Sequence, residues 1–340
     1  MNTLIGSIIV FMLVITLHEL GHFSVAKMVG IKVNEFSIGM GPKIFQKEGL
    51  ETKYSIRILP IGGYVAMEGE DERSDDPRSF NNVNVFKRMA VVVAGVCMNF
   101  ILAVIAFFIV AVIVGTPTNT IGSIVDNSSA YHAGLYAGDK IIEINDIPTK
   151  NWEDIVFNIS NSKENSDIRI KITRNHNELV KHVIAKSNNG RIQIGITPNY
   201  EKSISNAIKY SFLDTIQVIK DVFMTIKLLF KGNVDVTMLS GPVGVISVIG
   251  QATSLGMVYL LKMIGIISAN LGVVNLLPIP ALDGGKLLFL IIEKLIGKKI
   301  NEKIENTLSL IGISFLLFLM LYITLFGDLA RMNLWNVIKK

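Results

Sequence analysis

Four stretches of this chain are long and apolar enough to cross a bilayer, and that constrains everything else it can build. A spanning helix needs about 20 mostly apolar residues, because backbone polar groups in hydrocarbon must bond within their own segment. Leu4 to about Val29 carries no charge until His18. Met89–Thr116, Met263–Leu282 and Asn306–Gly327 carry none at all. The third run contains Asn270, Asn275, Pro278 and Pro280, so it predicts an interrupted helix. Charged residues make up 18% of the 340, against about 25% in soluble domains. That deficit excludes an ordinary soluble domain and a disordered chain. The first run has no basic leader and ends in His-Glu rather than at a small-residue cleavage site, so it reads as a retained helix.

Loop charge sets an expected orientation. The connection after the first run holds ten basic residues, from Lys27 to Arg88, and the one after the third holds Lys286, Lys294, Lys298, Lys299 and Lys303. The positive-inside rule places both in the cytoplasm and leaves the N-terminus, the central region and the C-terminus outside. The net charge of +5 therefore reads as a topology signal, not as nucleic-acid binding. The single cysteine, Cys97, permits no disulfide framework.

Between the first two runs, Lys32–Ile38 and Lys53–Leu59 look like strands, with Gly39, Gly41, Gly49, Gly62 and Gly63 supplying turns. Non-helical backbone at membrane depth must be buried in protein or line a cavity, so a hairpin region here is expected beside whatever the helices enclose. Glu68–Asp76 reads as a solvated loop. Residues 117–198 predict a small α+β domain, with strands at Ile121–Val125, Lys140–Asn145, Asp167–Thr173 and Leu179–Ala185 and a helix at Trp152–Ile159. Its run Ala133-Gly134-Leu135-Tyr136-Ala137-Gly138-Asp139-Lys140-Ile141-Ile142 resembles a turn of PDZ domains, which capture extended peptides at a sheet edge. In a permuted PDZ domain Ile194-Gly195-Ile196 would be the carboxylate-loop strand. Phe212, Ile216, Ile219, Phe223, Ile226 and Phe230 fall at helical spacing within 203–231, which suits a surface helix on the membrane or packing on the PDZ-like domain.

The chemistry centres on His18-Glu19-Leu20-Gly21-His22. Positions i and i+4 share a helix face, so both imidazoles can hold one metal ion, with Glu19 beside them as base. Ionisable groups in a membrane helix are costly and point to function; the bland reading is a polar helix contact. A catalytic zinc site takes three protein ligands and an open position. His132, His176 and His182 all lie in the PDZ-like domain, which leaves Asp283, in Asn275-Leu276-Leu277-Pro278-Ile279-Pro280-Ala281-Leu282-Asp283-Gly284-Gly285, as the better third ligand. Its competing role is to cap the helix Gly284–Ile296. Cys97 and Met98 read as packing residues, Tyr322 and Trp335 as an interfacial belt, and Asn99 as a helix contact.

An intramembrane His-Glu-x-x-His with a distant Asn-x-x-Pro-x-Pro-x-Leu-Asp-Gly resembles the site-2 protease family of intramembrane zinc metalloproteases. The order of parts resembles its bacterial regulator-of-sigma-E protease branch: zinc helix, hairpins with Phe36–Pro42 and Pro60–Val65, second helix, PDZ domain, Gly241-Pro242-Val243-Gly244 and the Leu-Asp-Gly helix. Gram-negative members resemble chains with two tandem PDZ domains; this one has room for one, as in Gram-positive relatives. The resemblance implies Zn²⁺ held by His18, His22 and Asp283, with Glu19 as catalytic base. It implies that Asn275 holds or polarises the substrate, and that the hairpins around Gly39, Gly62 and Gly63 present it. The implied substrates are single-pass membrane proteins with unwound spans, such as anti-sigma factors or remnant signal peptides.

The expected fold is thus a polytopic α-helical membrane protein of about four transmembrane helices, with a membrane-associated β-hairpin region and an external α+β PDZ-like domain. The expected segments are 1–30 (zinc helix), 31–87 (hairpins and cytoplasmic loop), 88–116, 117–198 (PDZ-like), 199–256 (amphipathic helix and linker), 257–296, 304–328 and a tail at 329–340. A transporter or channel is the main alternative of another class, but no inverted repeat is visible and the two histidines would go unexplained. A scaffold recruiting peptides through the PDZ-like domain is a second, and a zinc peptidase of another substrate class a third.

Overall fold

The structure is a computed structural model, and it describes residues 2–70, 72, 74–188, 190–232 and 239–331. In chain order the first elements are α1 (Asn2–Met28), β1 (Val33–Glu48), β2 (Lys53–Met67), α2 (Val85–Val114), β3 (Thr116–Ile124), α3 (Ser129–His132), β4 (Lys140–Ile144), β5 (Ile147–Pro148) and α4 (Trp152–Ser160). Next come β6 (Asp167–Arg174), β7 (Asn177–Ile184), β8 (Lys186–Asn188), β9 (Arg191–Gln193), β10 (Ile196–Glu201) and α5 (Ile204–Phe230). The chain then forms α6 (Pro242–Leu255), α7 (Met257–Asn275), α8 (Asp283–Ile296), α9 (Glu302–Ile323), a π-helical turn (Thr324–Asp328) and α10 (Leu329–Arg331). These elements fall into two compact units, Met1–Phe108 with Ser211–Lys340, and Ile109–Tyr210.

In the first unit, four helical stretches have the length and hydropathy of membrane spans: Thr3–Met28, Val85–Val114, Met257–Asn275 and Lys303–Arg331. Val10 and Val14 of α1, Leu102 and Ala106 of α2, Ile249 of α6, and Leu260 and Ile264 of α7 interlock in one buried cluster. The stretch containing α9 is almost wholly exposed, as suits lipid contact. Two boundaries differ from the sequence expectation. The second span stops at Val114 because Gly115 turns left-handed (φ +94), so Pro117 falls inside β3. The third begins at Met257, after Gly256 (φ +114), and ends at Asn275, short of Leu282.

At 14 residues, α6 is too short to span. Its first backbone N–H groups have no partner within the helix, and a distant carboxylate takes them. Asp328 Oδ1 accepts from Gly241 N at 3.0 Å and Oδ2 from Gly244 N at 2.8 Å, while Arg331 donates to Oδ1 at 2.7 Å. A Cβ on Gly244 would overlap that carboxylate, which accounts for the Gly-Pro-Val-Gly turn. Residues beyond Arg331, including Trp335, lie outside the described residues.

The hairpin strands are longer than the sequence suggests. Gly39, Gly41 and Gly62 take positive φ (+85, +84 and +92), which bends the strands without ending them. Glu35–Ile38 lies opposite Gly63–Ala66 on one side and Lys53–Ile56 on the other, and Lys43–Glu48 pairs with Lys53–Arg57. Among the described residues no other strand joins this sheet, so Gly63–Met67 forms an edge. The Ser74 hydroxyl first, then the Asn34 amide and Lys32, hold the Glu68 carboxyl down at about 2 and tie the end of β2 to the following loop.

The second unit carries the expected strands in a sheet ordered β10-β3-β4-β6-β7, with β5 beside β4, and β8 and β9 pairing separately. Ile121, Ile141, Ile144, Ile155, Ile168, Ile170 and Ile172 fill its core. Asp139 of the PDZ-like turn is almost fully buried; it accepts from the Tyr136 N–H and from Arg174 Nε and Nη2, the last two at 2.7 Å each. The α5 helix buries Ala207, Tyr210, Ser211 and Thr215 and exposes Phe212, Ile216 and Phe223. Ile219 and Ile226 of the same stripe are half-buried. Phe230 lies among residues whose side chains are not described.

One ion pair links α2 to α8: Arg88 donates from Nη1 and Nη2 to the two Glu293 carboxylate oxygens at 2.9 and 2.6 Å. Breaking a buried pair strands the remaining charge and costs about 3–5 kcal/mol. Arg88→Leu is expected to lower the thermal unfolding midpoint of the detergent-purified protein by several degrees, and Arg88→Leu with Glu293→Leu to recover most of that loss. Equal midpoints for the single and double variants would exclude the stranded-charge account.

Candidate metal centre

Helical periodicity puts His18 and His22 on one face of α1, and their Nε2 atoms face each other at 3.1 Å. The third group arrives through the break after α7. Leu276–Leu282 forms a tight turn, with Ala281 at φ +82. Gly284 and Gly285 lie so close to the backbone of Leu276–Ile279 that any Cβ would overlap it. The missing side chains let the chain double back and set the first residue of α8, Asp283, against α1. Asp283 Oδ2 is 3.1 Å from His18 Nε2 and 3.5 Å from His22 Nε2. The N-cap is Leu282, with no side-chain capping bond, so the Asp283 carboxylate is not spent on capping.

Asp283 Oδ2 is buried without a hydrogen-bond partner. Two imidazole lone pairs and an orphaned carboxylate oxygen converging on one point make a cation's donor set. Three protein ligands of type N, N and O with room for a fourth group fit a catalytic zinc site. His22 is already oriented for that role: its Nδ1 donates to the Val91 carbonyl at 2.8 Å, which leaves Nε2 free to ligate.

The remaining expected residues divide between the two units. Asn275 ends α7 with its Nδ2 3.4 Å from His18 Nε2, and Glu19 lies beside the two imidazoles. A Cβ on Gly63 would stand 3.5 Å from Glu19 Cγ, so the hairpin edge runs past that carboxylate. Val65 and Met67 of the same edge line the cavity of about 280 Å³ that holds His18, Glu19, His22 and Asp283. Gly39 and Gly62 shape the hairpin farther out, where Gly39 meets Leu59 and Gly62 meets Met40. Ile194, Gly195 and Ile196 belong to the other unit. There Ile194 is buried in the core, its carbonyl accepts from Ala130 N, and the Gly195 carbonyl accepts from Val125 N, both at 2.9 Å.

A larger cavity of about 720 Å³ shares Glu70, Leu282, Asp283 and Lys286 with the metal cavity. Glu70 and Lys286, which line both cavities, form an ion pair. Sequence reasoning missed Gly95. A Cβ there would overlap His22 Nε2 and crowd His18, so its absence lets α2 press against both rings. A glycine within an unbroken apolar helix, where it costs about 1 kcal/mol relative to alanine, was the available signal.

The sequence model of Peptidase family M50 matches residues 6–319 of this chain. A Clostridium acetobutylicum protein provisionally named a zinc metalloprotease is 40% identical, over 94% of this chain and 95% of its own. The regulator of sigma-W protease RasP of Bacillus subtilis is 32% identical, over 98% of this chain and 99% of its own. Among solved structures, the PDZ domain of an SdrC-like protein from Listeria monocytogenes covers 25% of this chain and 90% of its own at 23% identity, with a TM-score of 0.23, too low to carry an argument.

Gly95→Ala separates folding from metal binding. Alanine favours a helix by about 1 kcal/mol over glycine, yet its methyl group would enter the ligand space. Zinc content measured by elemental analysis is expected to fall on the order of tenfold in a variant that stays folded and monodisperse. Full zinc occupancy would show that the rings tolerate the methyl group.

Proposed function

This chain belongs to peptidase family M50, the site-2 protease family, and we propose that it cuts peptide bonds inside the transmembrane segments of other membrane proteins. It is a zinc metalloprotease and a multi-pass membrane protein. The observation that carries the proposal is the meeting of His18, His22 and Asp283 within 3.5 Å, beside Glu19, on an apolar membrane-length helix.

His18, His22 and Asp283 would hold the zinc. When bound, zinc supplies Lewis acidity and brings the pKa of a coordinated water to about 7. Glu19 would take the proton from the attacking water and hand it to the leaving amide nitrogen as the C–N bond breaks. The Asn275 amide would donate to the scissile carbonyl oxygen as negative charge builds there. A helical substrate hides its carbonyls in its own hydrogen bonds, so it must first unwind. The Gly63–Met67 edge, beside Glu19, would hold the freed backbone by strand addition.

The name of the Bacillus subtilis relative directs the first substrate choice to single-pass proteins that restrain a sigma factor, with remnant signal peptides as the second class. The PDZ-like unit would screen substrates by capturing extended peptide. The loop charges support a cytoplasmic hairpin region, with the N-terminus, the PDZ-like unit and the C-terminus outside.

Glu19→Gln is expected to lower the cleavage of a reconstituted single-pass substrate on the order of a hundred- to ten-thousand-fold while keeping its zinc. Asp283→Asn is expected to lose zinc as well as activity. Retained hydrolysis by Glu19→Gln would remove it as the base, and full occupancy in Asp283→Asn would remove that carboxylate from the ligand set. For topology, in a Cys97→Ala background, Lys163→Cys should react with a membrane-impermeant maleimide in intact cells and Asp75→Cys only after permeabilisation. The reverse pattern would invert the orientation.

A further inference from the structure

We propose that Asn99 is the positioning residue for His18: its side-chain carbonyl accepts the His18 Nδ1 proton and thereby leaves the Nε2 lone pair free for the metal. The inference rests on the reading of His18 as a zinc ligand. Asn99 is fully buried in α2, and its amide stands 3.2 Å from His18 Nδ1. With Nδ2 toward the ring, Oδ1 at the other end is buried without a partner. An amide donating to Nδ1 puts the ring proton on Nε2, the atom that faces His22 and Asp283. Turning the amide about its Cβ–Cγ bond exchanges two ends of nearly equal shape. Oδ1 then accepts from Nδ1–H and Nε2 is bare, while the amide nitrogen takes the partnerless position that Oδ1 held.

The arrangement repeats what α2 does for the other histidine. The Val91 carbonyl can only accept, so His22 Nδ1 must carry its proton and Nε2 must be free. Val91, Gly95 and Asn99 are spaced four apart and share a face of α2, as His18 and His22 share a face of α1. One face of α2 thus offers an acceptor behind each imidazole, and between them a glycine that admits both rings. The Ser268 hydroxyl of α7, itself fully buried, donates to the Asn99 backbone carbonyl at 2.8 Å. That bond ties the cradle to the helix that carries Asn275.

The test is zinc affinity of the full-length protein in detergent, read by competition with a chromophoric chelator, with cobalt(II) absorption as a second readout of ligand geometry. Asn99→Leu keeps the shape and removes the acceptor; zinc affinity is expected to fall 10- to 100-fold, the usual effect of losing a partner behind a ligand histidine. Asn99→Asp can only accept, and is expected to bind zinc as tightly as the wild type or more so, with an unchanged cobalt spectrum. Asn99→Asp also keeps the test decisive if Asn99→Leu does not fold. A tenfold or greater loss in Asn99→Asp would show that the amide donates and would overturn the assignment, as would wild-type affinity in Asn99→Leu. His18→Ala, run alongside, distinguishes the two levels. If it loses zinc while Asn99→Leu does not, only the positioning role fails; if it too binds like the wild type, the ligand reading fails with it.

Discussion

A carboxylate oxygen buried among apolar helices without a hydrogen bond is not tolerable unless a positive charge faces it. Asp283 Oδ2 is in that position, against two imidazole nitrogens. Much of the first unit is arranged around this point. The turn after α7 and the paired glycines at the start of α8 deliver the carboxylate. The close approach of α1 and α2 at Gly95 holds the rings, and the Arg88–Glu293 pair fixes α8 against α2 at the other end of the helix.

The hairpin gives that centre a direction. A sheet edge beside Glu19 can pair with any extended backbone, because strand addition reads N–H and C=O groups rather than side chains. Glu70 and Lys286, which form an ion pair, line both the metal cavity and the larger polar one.

How much was legible in the sequence followed how local each feature is. The His18–His22 pair follows from helical spacing alone, and Asp283 from its place after two prolines. The PDZ-like turn at Ala133–Ile142 marked the second unit's strands closely. The hairpin strands were underestimated because Gly39, Gly41 and Gly62 were read as strand ends, whereas their positive φ bends strands that continue. The Asn275 boundary was displaced because hydropathy does not register where backbone bonding stops. Gly95 and Asn99 lie in an apolar run, and their importance depends on which turn of α2 meets which turn of α1. No single segment encodes that register.

The Asp328 clamp makes the π-helical turn a keystone for a helix whose N-cap, Gly241, stands 87 positions earlier. A chain shortened before this residue would leave the α6 amides bare beside α1, the helix that bears the histidines.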